Sequence, residues 1–429
     1  MAVRFADSRM FASLAIRNYR IYFFGAFISN VGTWIQRVAQ DWLVLELSHN
    51  SAIAVGITTA LQFLPALLLG PFGGLLADRF PKRVLLCVTQ TWMALSALAL
   101  GLLAVTGVAQ TWHVYLAAFV FGIGSALDVP ARQSFVSEVA SPQLLTNAIG
   151  LNSTSFNAAR LIGPGVAGLI IAGWGSGWAI LTNAVSYIAM LAALLLLDRR
   201  ELDSPKPVPR AKGQLREGFA YVGARPDLVI ALGVGFAVGT FALNFQLTNA
   251  VMVRRAFHLG AESYGLLGSI MAIGSVIGAL YAARRERAPG LRVVIGSALL
   301  FAVVLAISGL MPTYLTYALS LPIVGLIALT TMTSTNMFVQ TNCEPHMRGR
   351  VMALYFMVLM GGTPVGSPLM GWMAEAFGPR APLIGGAILQ ASTILLVIGA
   401  VRMRSNRVQL STESASITET AVALTPQER

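Results

Sequence analysis

Ionisable residues stand inside long apolar stretches of the first half of the chain, where a charged side chain is costly. Asp128 and Arg132 are four residues apart, as are Arg37 and Asp41, so each pair lies on one face of a helix. Arg160 stands in a further apolar stretch. A charge inside a bilayer costs at least ~2.5 kcal/mol, so such residues mark proton pathways, substrate sites or structural ion pairs. These five residues are our candidates for proton coupling and transport.

Two interpretations stay open for each of the central residues. Asp128 either takes up and releases a proton during transport, or forms a static ion pair with Arg132 that holds its helix rigid. Arg160 either binds an anionic group of a substrate or pairs with Asp41 on a neighbouring helix. The first role suits a guanidinium group because it grips a carboxylate or phosphate through two parallel hydrogen bonds.

The elements that carry these residues are predicted to be transmembrane helices. Hydrophobic residues make up 56% of the 429-residue chain and charged residues 11%, against about a quarter charged in soluble domains. Apolar runs of about 20 residues span the hydrocarbon core, and the backbone in lipid must satisfy its own hydrogen bonds. We predict an all-α integral membrane protein with twelve such helices, at roughly 20–46, 52–76, 83–105, 113–137, 146–172, 177–197, 228–252, 262–284, 292–311, 313–340, 350–376 and 382–402.

Polar segments divide the chain. Residues 198–226 are rich in charge and proline and are predicted to be a cytoplasmic linker between six-helix bundles at 1–197 and 227–403. Residues 404–429 are rich in Ser and Thr and are predicted to be a disordered tail. The halves repeat weakly, because a shift of 203 residues places Gly163 on Gly366 and Gly168 on Gly371.

The basic residues are distributed asymmetrically. Of the 30 Lys and Arg residues, 24 fall on one predicted side of the membrane, which is the positive-inside pattern and places both termini in the cytoplasm. Membrane topology therefore explains the net charge of +12, and no nucleic-acid partner is expected.

The loop between the second and third predicted helices, residues 74–86 (GLLADRFPKRVLL), resembles the signature loop of the major facilitator superfamily. Pro81 stands where that family usually has Gly. The resemblance implies two parallel six-helix repeats and a gate at this loop. It also implies that Asp78 caps the N-terminus of helix 11 and that Arg79 pairs with Glu138. The predicted gating residues are Gly74, Asp78, Arg79, Lys82, Arg83 and Glu138.

Small residues in helices 5 and 8 extend the resemblance. Gly163, Pro164 and Gly168 resemble the motif typical of superfamily antiporters, which are exporters; the alternative is ordinary helix packing. Small residues in helix 8 would let it approach helix 5 closely across the two halves, as in the family. By the same resemblance, helices 1, 4, 7 and 10 line a central cavity. The candidate cavity residues are Trp34, Asn157, Phe241, Asn244, Phe245, Asn336 and Gln340.

Four segments are similar to the branch that contains enterobactin exporters and macrolide-efflux proteins: 30–34, 127–133, 157–164 and 348–354. This resemblance implies a monomeric exporter of amphipathic small organic molecules in the bacterial inner membrane, driven by proton antiport with alternating access. The proton gradient is its energy source, with no cofactor. A proton-coupled importer or facilitator of a small metabolite and a lipid transporter are the alternatives on the same fold.

Other classes of function lack their motifs in this sequence. Cys87 and Cys343 offer neither a disulfide framework nor metal-ligand spacing, so no metal site is expected. The chain has no Ser/His/Asp grouping and no P-loop, so we do not expect an enzyme. It also shows no ring of charges typical of a channel. The expected partners are a small-molecule substrate, protons and the lipid bilayer.

Overall fold

The computed structural model describes the backbone of residues 9–202, 214–284 and 288–423, and its description of side chains leaves out 9–10, 71–75, 77–78, 199, 214–215, 283 and 405–423. Within that part of the chain, secondary structure is helical and no strand occurs. The long helical segments are α1 (Arg17–Leu47), α2 (Ala52–Arg79), α3 (Lys82–Val105), α4 (Thr111–Val139), α5 (Leu145–Trp174), α6 (Ser176–Leu196), α7 (Pro226–Ala256), α8 (Ala261–Ala283), α9 (Leu291–Gly309), α10 (Tyr314–Asn342), α11 (Arg348–Phe377) and α12 (Ala381–Ala423).

Eleven helices of the described chain are long and apolar enough to cross a membrane. The 31-residue helix α1 is not among them, because charged and amide side chains lower its hydropathy. Those side chains are not on an outer surface, since Gln36, Gln40 and Asp41 are all buried. The all-α membrane fold is thus confirmed, whereas the number of twelve spans stays a prediction.

Helices of the first half pack on one another, as do those of the second. In the first half α1 contacts α5 and α6, α2 contacts α4, and α3 contacts α4 and α6. In the second half α8 contacts α10, and α9 contacts α10 and α12. Two seams join the halves, one between α2 and α11 and the other between α5 and α8. Any site between the halves is therefore bounded by these two seams.

Two helices of the second half are interrupted at the same level. Helix α7 contains a π-helical turn at Val238–Ala242, and α11 divides into Arg348–Gly361 and Thr363–Phe377. A Cβ atom on Gly362 would lie 2.2 Å from Thr240 Oγ1, so α11 packs directly on the π-helical turn. Such π-helical turns are frequent at functional sites.

The backbone of the C-terminal segment continues α12, and the predicted division of the chain into domains stays a prediction. Helix α12 continues to Ala423 and therefore includes most of residues 404–429. The segment contains neither Gly nor Pro before Pro426, so nothing in its sequence breaks the helix earlier. A shorter helix at Gln214–Gly223, which we name the linker helix, packs on α11 at the start of the second half.

Candidate transport site

The two ends of the helical bundle carry different loops. We name the end that carries the α2–α3 loop and the linker helix the linker face, and the end that carries the α1–α2 loop at Ser48–Ser51 the far face. Helices α1, α7 and α11 run from the linker face to the far face, whereas α4 runs in the opposite direction.

Asp128 lies within α4 with its carboxylate fully occupied by donors. It is buried and accepts hydrogen bonds from Thr89 Oγ1 and Gln90 Nε2, both at 2.8 Å from Oδ1. Its Oδ2 lies 2.9 Å from two nitrogens of Arg132, one turn further along the helix. Gln90 in turn accepts from Ser29 of α1 at 3.3 Å. The i,i+4 pair expected from the sequence is therefore present, and it connects α4 to α3 and α1.

Asp41 has a different environment, although it is equally buried. Its Oδ2 lies 3.0 Å from the hydroxyl group of Tyr264, which belongs to α8 in the other half of the molecule. The same hydroxyl lies 3.2 Å from the carbonyl oxygen of Gln246, so Asp41 shares a single proton donor with a backbone group. The ring of Tyr264 stacks on Trp42 with 6.1 Å between centroids. Asp41 thus holds the two halves together through one neutral hydrogen bond.

Of the two alternatives for Arg160, the pairing with Asp41 is absent among the described side chains. Neither Arg160 nor Arg37 lies within ion-pair distance of an acid among the described side chains. Both guanidinium groups instead contact one aromatic ring, Trp34, with Cζ 4.9 Å from its centroid for Arg37 and 5.8 Å for Arg160. Asp41 lies one turn beyond Arg37 on α1, and its carboxylate bonds to Tyr264 of α8 instead.

At the far face, polar contacts join the halves. Glu375 at the end of α11 accepts a hydrogen bond from the backbone N–H of Ala52 at 2.8 Å and from Arg255 at 3.0 Å. Its position at the N-terminus of α2 is one where the helix dipole favours an anion. Arg254 donates to Asn50 at 2.7 Å, and its guanidinium lies over Trp42. Several of these residues line a cleft of about 500 Å³. The far face is therefore closed across α1, α2, α7 and α11.

Glycine residues show that both seams are tight near the far face. A Cβ atom on Gly265 of α8 would lie 2.2 Å from the carbonyl oxygen of Pro164 in α5, and one on Gly168 would lie 2.9 Å from that of Ala261. Ser269 of α8 also donates to the carbonyl oxygen of Leu161 at 2.6 Å. The prediction that helices 5 and 8 meet across the halves is confirmed.

The seam between α2 and α11 is tightest near the far face. A Cβ atom on Gly56 or Gly371 would lie 2.5 or 2.6 Å from backbone atoms of the other helix. A Cβ atom on Gly70 of α2 or Gly349 of α11 would meet no described atom within 4 Å. Larger side chains would therefore fit at these two positions near the linker face, but not at Gly56 or Gly371.

In the α2–α3 loop, the residue that contacts Glu138 differs from the one predicted. Lys82 Nζ lies 2.5 Å from Glu138 Oε1, whereas Arg79 is exposed. The reason is that Lys82 begins α3, which packs on α4, where Glu138 is buried. Arg83 donates to the carbonyl oxygens of Leu194 and Leu195 at 2.5 and 3.1 Å, at the C-terminal end of α6. Gly74 and the side chain of Asp78 lie outside the described residues, so the predicted cap on helix 11 stays a prediction.

We expect Lys82→Met to lower the free energy of unfolding by about 3 kcal/mol, because it leaves the buried carboxylate of Glu138 without its cation. Arg79→Met is the matched control, and its effect should stay within about 0.5 kcal/mol since its side chain is exposed. Unfolding of the purified protein in mixed micelles measures both values. Equal losses in the two variants would contradict the pairing seen in the structure.

The predicted cavity residues of the second half lie near the interrupted part of α7. Asn244 is buried, donates to the carbonyl oxygen of Thr240 at 2.8 Å and accepts from Ser367 of α11 at 2.7 Å. Its side chain is therefore used in joining α7 to α11. Phe241 and Phe245 are half-buried and contact Phe236 and Phe301, respectively.

The remaining predicted cavity residues lie toward the linker face. Gln340 donates to Asn336 at 2.6 Å on the last turns of α10, and Gln340 is exposed. Asn157 of α5 is half-buried and donates to the carbonyl oxygen of Ser153 within its own helix. Both described hydrogen bonds of these amides therefore stay within a single helix.

Sequence reasoning missed several residues of the site. Thr89 and Gln90 form part of a polar triplet with Thr91 in an otherwise apolar helix, and that interruption could have identified them. Tyr264 and Glu375 carry no such signal, because their contacts join helices that are far apart in the chain.

Almost the whole chain matches one family of proteins. The model of the transmembrane secretion effector family matches residues 8–428. The chain belongs to that family of major facilitator transporters. It is therefore a multi-pass membrane transporter.

Curated relatives of this family member include both siderophore and drug transporters. It is 26% identical to a staphyloferrin A transporter of Staphylococcus aureus, over 84% of this chain and 90% of the relative. It is 26% identical to the multidrug efflux pump Tap of Mycolicibacterium fortuitum, over 88% and 93% of the two chains. It is 24% identical to the enterobactin exporter EntS of Shigella flexneri, over 89% and 91%.

Solved structures share the fold of this transporter. A bacterial homologue of the human lysosomal transporter Spinster, in an inward-facing conformation, superposes with a TM-score of 0.66 at 17% identity, over 90% of this chain and 95% of the other. A D-xylose–proton symporter gives a TM-score of 0.68 at 14% identity, over 90% and 97%. At these identities the likeness concerns the fold alone.

Proposed function

We propose that this transporter exports an amphipathic organic molecule across the bacterial inner membrane in exchange for protons. Its linker face is cytoplasmic, with both termini on that side, and it works as a monomer by alternating access without a cofactor. The observation that carries the proposal is the environment of Asp41, a buried carboxylate whose neutral hydrogen-bond donor lies on the opposite half of the molecule.

Asp41 is the better proton acceptor of the two buried aspartates. Asp128 faces Arg132 and two further donors, so its protonation would leave a buried cation without a partner, which costs several kcal/mol. Protonation of Asp41 breaks no ion pair within the described residues. We therefore assign proton coupling to Asp41 and the structural role to the Asp128–Arg132 pair.

The position of Asp41 couples its proton to the movement of the halves. Its bond to Tyr264 exists only while α1 and α8 are close together at the far face. Opening of that face separates the two groups and exposes the carboxylate to the far side, from which the proton enters. When the far face closes again, the carboxyl group of Asp41 releases its proton toward the linker face as substrate binds. The halves rock about the two seams, where glycine residues bring the helix backbones into close contact.

Proton flux in everted membrane vesicles tests the proposal. Respiration acidifies the vesicle interior, and a panel of amphipathic antibiotics and siderophores is added outside, at the cytoplasmic surface. An exporter should admit its substrate and release protons, so the pH gradient falls on addition. Vesicles without the protein are the control. A fall that occurs only when substrate is preloaded inside the vesicles would overturn export and indicate symport.

A further inference from the structure

Two positively charged side chains share one aromatic ring in the first half of the molecule. Arg37 of α1 and Arg160 of α5 both direct their guanidinium groups at Trp34, with Cζ within 6 Å of its ring centroid. Gly163 permits this arrangement, since a Cβ atom there would lie 2.4 Å from Trp34 Cβ. The close approach of α1 and α5 therefore fixes both arginines around the same ring.

Neither arginine forms an ion pair within 4 Å of an acid among the described side chains. Arg37 Nε is fully buried and has no hydrogen-bond partner. The guanidinium group of Arg37 also lies 5.9 Å from the centroid of Phe63, so two aromatic rings contact it. The nearest buried acid on its own helix, Asp41, is bonded to Tyr264.

The energy of this arrangement favours an additional anion. A contact between a cation and an aromatic face contributes about 0.5 to 2 kcal/mol. Burial of a charge without a counter-ion costs several kcal/mol, and here two like charges lie close together. An ion that presents two oxygens in a plane would satisfy the open hydrogen-bonding positions of a guanidinium group.

The two arginines lie near the middle of the bundle, beside an exposed aromatic side chain. By the rise of 1.5 Å per residue, Arg37 lies about 15 Å below the end of α1 at the far face, near the middle of the bundle. Phe156 packs edge-on against Trp34 with 6.0 Å between centroids and is 47% exposed. Phe156, Trp34 and Phe63 thus provide an aromatic surface beside the two charges.

We propose that Arg37, Arg160 and Trp34 form a binding site for the carboxylate of an aromatic, amphipathic anion. The inference rests on the proposed function in one respect, since it names the class of substrate that the exporter carries. The arginines bind the carboxylate, and the aromatic side chains contact the apolar part of the molecule.

Equilibrium binding of radiolabelled 1-naphthoate to the purified protein in non-ionic detergent tests the site. The matched neutral probe is 1-naphthamide, which has the same ring and no charge. We expect naphthoate to bind at least tenfold more tightly than naphthamide. Arg160→Gln and Arg37→Gln should each weaken naphthoate binding by tenfold or more and leave naphthamide binding unchanged. Arg160→Lys should retain part of the affinity, because it keeps the charge but not the planar fork.

Control variants distinguish a local site from a general effect of charge or folding. Arg292→Gln removes an exposed arginine at the start of α9 and should leave naphthoate binding unchanged. Thermal unfolding shows which variants are folded, and Arg37→Lys replaces Arg37→Gln if the latter does not fold. Equal affinity for the two probes, or equal loss in all the variants, would overturn the proposal.

Two further outcomes would give the paired arginines a different role. Phosphatidylglycerol that binds in an Arg160-dependent manner, while naphthoate does not bind, would assign the site to a lipid headgroup and overturn the substrate proposal. Because binding is measured without a proton gradient, it does not depend on antiport. Proton exchange with neutral or cationic drugs, together with no binding of naphthoate, would overturn this inference and leave the proposed function standing.

Discussion

Asp41→Asn is expected to reduce substrate-driven proton exchange by on the order of 100-fold or more, because an amide cannot take up a proton at neutral pH. The amide oxygen still accepts the hydrogen bond from Tyr264, so the folded state keeps its contact between α1 and α8. We therefore expect the free energy of unfolding to change by about 1 kcal/mol or less. The expected result is a folded protein that has lost its coupling.

Proton flux in everted vesicles measures the effect of Asp41→Asn directly. Asp227→Asn is the matched control, since Asp227 pairs with Arg225 near the linker face, far from Asp41, and about a third of its side chain is exposed. Its proton exchange should equal that of the parent protein. Tyr264→Phe removes only the donor and should weaken closure of the far face while leaving a titratable carboxylate. Normal exchange in Asp41→Asn would show that another group carries the proton.

Asp128→Asn should have the opposite effect to Asp41→Asn: the free energy of unfolding falls strongly, whereas proton exchange by the folded molecules remains. It removes the charge that faces Arg132 and leaves a cation within the helical bundle, for which losses of about 3 to 5 kcal/mol are typical. The amide oxygen still accepts from Thr89 and Gln90, so the loss of stability comes from the unpaired cation and not from the contact of α4 with α3. Molecules that remain folded should still exchange protons with substrate.

Unfolding in mixed micelles gives the free energy for both aspartate variants under the same conditions. Proton exchange is then divided by the amount of folded protein in each vesicle preparation. Arg132→Met with Asp128→Asn removes both partners and should recover part of the lost stability, since no buried charge remains unpaired. If the Asp128→Asn protein were stable but did not exchange protons, Asp128 would be the proton acceptor and Asp41 the structural residue.

The fold could be predicted because its signals lie within short stretches of sequence. Apolar runs locate the helices, and the residues of the α2–α3 loop indicate the family. The pairing of Asp128 with Arg132 was also predictable, because both side chains lie on one helix at a fixed spacing.

The contacts of Asp41 and Glu138 could not be predicted in the same way. Tyr264 lies 223 positions from Asp41 in the chain, and their contact depends on how α1 packs against α8. Arg79 and Lys82 are three positions apart in the chain. Which of them contacts Glu138 depends on where α2 ends and where α3 begins. Rotations between helices decide such pairs, and they depend on packing across the whole bundle.

The contacts of the α2–α3 loop suggest how variants of this transporter could be recombined. Lys82 binds α4 and Arg83 binds α6, so both described anchors belong to the same half as the loop itself. A chimaera that joins residues 1–197 to the second half of a relative would keep these anchors intact. The loop is then part of an exchangeable module, and the two seams, the bond between Asp41 and Tyr264 and the contact between Arg254 and Asn50 must match the new partner.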